Sequence, residues 1–297
     1  MQYMPRCRDL SWRVVEVGVE SHNGSLAHHQ ARDVHAVATH LIKCFDNVKS
    51  LKFDSHESGN TACAMVSSEG EEIDFLKTFK VRGAVEEWMR KVEQAMQAAL
   101  QSYLEKALVD YEAESRLEWV QRHPAQRVNM LFDHPSPVEQ LSSLLEEEMA
   151  QLRAAAEFVA GELSGLERKK LVALITADVH HRDISQLMLS AKVNDVGSFT
   201  WQMQLQYCVE QDEPSESSTH IPLLCVVKQA HATVPYQYEY EGATSRLVVT
   251  PLTDRCWMTI TAALHLHLGS APTGPAGTGK TETVKDLAKG LATQCVV

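Results

Sequence analysis

Apolar residues recur at three- and four-residue steps over long stretches of this chain, a spacing that predicts a mainly helical protein. The clearest run covers Ala84–Val120, where Val85, Trp88, Met89, Val92, Met96, Leu100, Leu104 and Leu108 line one side. Gly83 ahead of it and His123–Gln126 after it supply stop signals. Read as one helix of about 36 residues, it would form a rod of roughly 55 Å, so an elongated helical bundle is expected. Two further helices are predicted at Pro137–Ala160 and Ser164–Ser190, with Leu141, Leu144, Met149 and Leu152 on one stripe and Leu171, Leu174, Ile184 and Met188 on the other. A shorter helical pattern runs through Val34–Phe45.

Between and after these stretches the period changes. Residues 45–54 and 61–77 read as short strands or turns punctuated by Gly59, Asn60 and Gly70. From Phe199 the segment FTWQMQLQYCV alternates, a polar loop covers 211–222, and LLCVVKQAHATVPYQYEY is rich in β-branched and aromatic residues. A helix is then predicted from Cys256 to Leu268, a Gly-rich segment follows, and a last helix spans Thr281–Ala292. Residues 1–32, with one β-like run at Trp12–Val19, form a divergent segment to which no function is assigned.

Composition narrows the class. With 44% hydrophobic residues among 297, the chain can bury a core. A formal net charge of -11 argues against a broad nucleic-acid footprint, which needs a basic face. No stretch approaches the roughly 20 apolar residues of a membrane span, so no membrane role is expected. The 7 cysteines are far apart, with neither a CxxC pair nor zinc spacing, and this suits a reducing, cytosolic compartment.

The candidate chemistry lies near the end. Gly274, Pro275, Ala276, Gly277, Thr278, Gly279, Lys280 and Thr281 spell GPAGTGKT, which fits G-x-x-x-x-G-K-[ST], and a helical pattern follows at once. Glycines let the backbone curl round phosphate oxygens and aim successive N–H groups at them, while the helix adds its N-terminal partial charge. Lys280 would reach the β- and γ-phosphates of ATP, and the Thr281 hydroxyl would ligate Mg²⁺. By average composition such a match arises by chance in roughly one chain in a hundred of this length.

A complete enzyme of this type also needs a strand-borne acid for the metal and a group that orients water. The segment after Thr281 is not expected to provide them, and Glu282 and Asp286 read as a solvated helix face. The adjacent pair His180 and His181, and the pair His265 and His267, point to different helix faces and are not expected to bind metal. Cys44, Cys256 and Cys295 read as buried thiols.

The segment YQYEYEGATSRLVVTPLTDRCWMTITAALHLHLGSAPTGPAGTGKTETVKDLAKGLATQCVV, residues 236–297, resembles the entry to the first AAA+ module of dynein heavy chains. The resemblance extends upstream through SSEGEEIDF at Ser67–Phe75, RGAVEEWMRKVEQAM at Arg82–Met96, DYEAESRLEWVQRHPAQ at Asp110–Gln126, DVHHRDI at Asp178–Ile184 and VNDVGSFTWQMQLQY at Val193–Tyr207. It covers about residues 34–297, and the LHLHLG form ahead of the loop is closer to axonemal than to cytoplasmic dyneins. Ser270, Trp257 and Glu241 depart from the residues usual in the family, away from the phosphate-binding positions.

The resemblance implies a mainly α fold: linker helices over 33–235, then the beginning of an α/β P-loop AAA+ module over 236–297. It also implies that Val249, Pro251 and Leu252 pass close to adenine. The implied parent is an ATP-driven, minus-end-directed microtubule motor of cilia and flagella, placed in the cytoplasm, cytoskeleton and axoneme. Its implied partners are ATP and ADP, the rest of the dynein ring, intermediate and light chains, and microtubules through a coiled-coil stalk outside these residues. The chain is expected to be a piece of that motor, inactive alone and with weak or no affinity for Mg-ATP. The alternative is a non-catalytic helical scaffold with a vestigial loop.

Overall fold

The computed structural model describes residues 34–54, 60–125, 141–193, 195, 197–211 and 223–296. The run at Trp12–Val19, Gly59, the residues 126 and 137–140, and most of the 211–222 loop lie outside them. Helices dominate, joined by two small antiparallel sheets, and the chain divides into two compact units at 1–102 and 103–297.

In the first unit, α1 (Val34–Cys44) buries Val37, Leu41 and Cys44, an apolar stripe at helical spacing. Strands β1 (Val48–Phe53), β2 (Thr61–Ser67) and β3 (Glu72–Lys80) form a meander in that order. Leu51 pairs with Met65, and Met65 with Ile73, so three apolar side chains share one face of the sheet. The β2–β3 turn closes through Ser67 N–H donating to Glu71 O at 2.9 Å, with Gly70 at φ 85°.

Helix α2 (Val85–Ala113) begins in the first unit and ends in the second. Its expected stripe is real: Trp88, Met89, Val92, Met96, Leu100 and Leu104 are all buried. The single rod over 84–120 is not. The helix stops at Ala113, and a separate α3 (Arg116–Arg122) starts at Ser115, whose capping box with Glu118 supplies a new N-terminus. The S-x-x-E signal lies in ESRLE, where the apolar spacing obscured it.

In the second unit, α3 folds back so that Trp119, 1% exposed, donates its indole N–H to Ala107 O at 2.7 Å. Ala107, Trp119, Val120, Leu171 and Leu174 make one core cluster. Helices α4 (Leu141–Val159) and α5 (Gly165–Ser190) pack on each other, and α5 starts at a capping box of Ser164 with Glu167. A buried ion pair from Arg116 to Asp178 joins α3 to α5. Leu141, Met188 and Val193 form a second cluster near the short α6 (Phe199–Gln202). That turn of helix replaces the first part of the alternating segment expected from Phe199.

Strands β4 (Gln206–Gln211), β5 (Leu223–Gln229) and β6 (Ala232–Pro235) form the second meander, with Tyr207 opposite Val227 and Val227 opposite Val234. Strand character ends at Pro235, short of the expected YQYEY. Residues 236 and 238–242 are buried instead, and the segment bonds to residues 291–292, with Gln237 N–H donating to Leu291 O and Glu239 N–H to Ala292 O. Helix α7 (Pro251–His265) begins five residues before the expected Cys256, because Thr250 caps it and Pro251 takes the first turn. The last helix, α8, is Lys280–Gly290.

Candidate functional site

Three glycines shape the loop ahead of α8. Gly274, Gly277 and Gly279 have φ of 155°, 77° and 76°, a region that other residues enter only with strain. Gly279 is the N-cap of α8, so the loop runs straight into the positive end of a helix. The loop is exposed from Gly274 to Gly279, and Thr281 is exposed on the first turn of α8.

Lys280 folds back over this turn. Its Nζ donates to Pro275 O at 2.5 Å and to Thr278 Oγ1 at 3.3 Å, and Thr278 Oγ1 donates to the same carbonyl at 2.9 Å. Thr283 donates both its N–H and its Oγ1–H to Gly279 O, closing the first turn of the helix. The residues just before the loop, 269–273, join neither sheet. From residue 236 onwards the described residues form two helices, α7 and α8, and the antiparallel strands β4–β6 come before them in the chain.

The body of α8 is anchored by residues that the spacing of apolar positions did not single out. Asp286 is 2% exposed and accepts from Arg246 twice, Nε to Oδ1 at 3.0 Å and Nη2 to Oδ2 at 3.3 Å. Leu247 N–H donates to Asp286 Oδ1 at 3.2 Å. The expected solvated face is thus wrong for Asp286, whose charge is matched by a buried guanidinium, and right for Glu282, which is exposed and pairs with Lys285. Trp257 Nε1 donates to Thr283 O at 3.0 Å, Lys289 Nζ to Ser245 O at 3.0 Å and Tyr207 OH to Gly290 O at 3.0 Å. Bonds along its length hold α8 to the segment 245–257 and to β4.

A cavity of roughly 60 Å³ lies beside Arg246, and its wall includes His180, His181, Gln204, Tyr207, Val249 and Trp257. The two histidines line the same cavity despite being adjacent on α5, and no metal-holding cluster occurs among the described residues. Burial, with Arg246 nearby, lowers both imidazoles to about 4, so both rings are neutral near pH 7. Burial works against the charge of Arg246, and Asp286 and Tyr207 together outweigh it, holding the guanidinium above its ordinary value. Burial pushes the Tyr207 phenol up to about 12.

Of the three residues linked with adenine, Val249 lines this cavity, whereas Pro251 and Leu252 are exposed at the start of α7. Neither Cys256 nor Cys295 is fully buried as expected, whereas Cys44 is. His265 meets the backbone of Thr233 through Nδ1.

Residues 236–297 match a family described as the hydrolytic ATP binding site of dynein motor region, and residues 27–107 match the dynein heavy chain, N-terminal region 2. The chain is 41% identical to human dynein axonemal heavy chain 6 over 90% of its length. The chain belongs to the dynein heavy chain family. It is also 39% identical to the dynein beta chain of the flagellar outer arm of Chlamydomonas reinhardtii over 88% of its length, and 36% identical to the ciliary dynein beta chain of Tripneustes gratilla over 88%. It spans only 7% of the first of these dyneins and 6% of the other two. The names of these relatives, axonemal, flagellar and ciliary, agree with the expected placement in the axoneme. No helix among the described residues is long and apolar enough to cross a membrane.

Proposed function

We propose that residues 274–281 are a Walker A loop for Mg-ATP in an axonemal dynein heavy chain. In this reading 33–235 is the C-terminal part of the linker and 236–297 the start of the first AAA+ module. One observation carries it above the others: Gly274, Gly277 and Gly279 turn the backbone through positive φ directly onto the N-terminus of α8. The donor set suits the ligand, since an exposed run of backbone N–H groups, a lysine and a helix end all favour a polyphosphate. Lys280 would exchange the Pro275 carbonyl for the β- and γ-phosphates. The Thr281 hydroxyl would ligate Mg²⁺, and Val249, Pro251 and Leu252 would run beside adenine.

Through a longer heavy chain, the partners would be the rest of the ring, intermediate and light chains, and microtubules held by a coiled-coil stalk outside these residues. ATP turnover there would drive a minus-end-directed motor. The alternative, a helical scaffold with a vestigial loop, draws on the loop being exposed and preceded by no strand among the described residues from 236 onwards. Calorimetric titration with Mg-ATP separates the two. Weak binding that Lys280→Ala abolishes supports the nucleotide site, and equal absence of binding in both chains favours the scaffold.

A further inference from the structure

We infer that Arg246 is a positioning residue for the nucleotide site, fixing the register between helix α8 and the strip 247–252. The inference rests on the phosphate-loop reading above and goes beyond it, because Arg246 lies outside the loop and touches neither Lys280 nor Thr281. Its contact on α8 is Asp286, in the second turn, through two hydrogen bonds of 3.0 and 3.3 Å, and its guanidinium also meets the Tyr207 hydroxyl. The same carboxylate accepts the N–H of Leu247 at 3.2 Å, two residues before Val249. One buried carboxylate therefore binds both the arginine side chain and the backbone that leads into the strip. The rest of the seat is tight: a Cβ at Gly290 would lie 3.3 Å from Tyr207 OH and 3.9 Å from Arg246 Nη2.

The physical consequence is a division of labour. Phosphate contacts come from the loop and the first turn of α8 alone, whereas adenine contacts come from a strip that is separate in sequence. A ligand that uses both needs the two in fixed register, and a flexible tether would forfeit part of the binding in ordering them. A planar guanidinium bonded at two points sets a direction as well as a distance, which a lysine cannot do.

The test measures the affinity of the 297-residue chain for Mg-ATP and for inorganic tripolyphosphate, which carries the phosphates without adenine. Arg246→Ala should weaken Mg-ATP about tenfold, the size of one charge-assisted contact, and leave tripolyphosphate within about twofold of the unaltered chain. Arg246→Lys should retain the fold with an intermediate loss confined to ATP. Lys280→Ala should lose both ligands. Equal losses of ATP and tripolyphosphate in Arg246→Lys, or no loss of ATP in either arginine variant, would overturn the assignment. If Arg246→Ala fails to fold, by circular dichroism, the lysine variant decides. An unaltered chain that binds tripolyphosphate but not ATP would overturn the positioning role while leaving the phosphate loop standing. Binding of neither would sink the nucleotide reading itself, and this assignment with it.

Discussion

At the scale of single residues, the glycines of the loop and the histidines of α5 lead to separate expectations. A Cβ on Gly279 would meet nothing within 4 Å, so the obstacle to Gly279→Ala is its φ of 76° and not space. The variant should lose about 1 kcal/mol in urea unfolding, the cost of a left-handed residue with a side chain. His180 and His181 have folded values of about 4, below the ordinary 6.5. The unfolded chain thus binds more protons between these limits. The stability they contribute is present above pH 6.5 and lost as pH falls towards 4, by at most about 1.4 kcal/mol per pH unit for each ring. Urea unfolding from pH 7.5 to 4.5 should show that slope, and His180→Asn should reduce it. The identities of the loop residues were legible in sequence because their chemistry is local. Asp286 was not, since helical spacing alone cannot say that an arginine forty residues earlier covers it.

At the scale of elements, the long apolar stripe over 84–120 proved genuine while the continuous helix did not. Side chains at three- and four-residue spacing remain in phase across a short break, so periodicity alone cannot distinguish one helix from two. Ser115 decides the matter by offering a cap, and Trp119 by reaching Ala107 O across the bend. Ser115→Ala should cost about 1 kcal/mol. Trp119→Ala, which empties a fully buried site and removes its hydrogen bond, should cost about 3–5 kcal/mol. Both are measurable by denaturant unfolding followed by far-ultraviolet circular dichroism. Helix α5, by contrast, spans Gly165–Ser190, within one residue of the expected Ser164–Ser190, because its capping box and its apolar spacing agree.

At the scale of the whole molecule, α8 depends on sequence far from it. Arg246, Ser245, Trp257 and Tyr207 all bond to it, so its fold is a tertiary property of the unit 103–297. Asp286→Ala, which strands a buried guanidinium, should destabilise that unit by about 3–5 kcal/mol in thermal or denaturant unfolding. The glycine-rich GPAGTGKT run, the span of α5, the turn at Gly70 and the family resemblance were legible in sequence, because each depends on neighbours within a few positions or on a run of identities. The fold-back of Trp119 onto Ala107, the buried partnership of Asp286 with Arg246, and the convergence of His180, His181 and Tyr207 on one cavity were decided only by tertiary structure. These depend on which distant residue fills the space beside each group, and in a desolvated site that neighbour sets both charge and conformation.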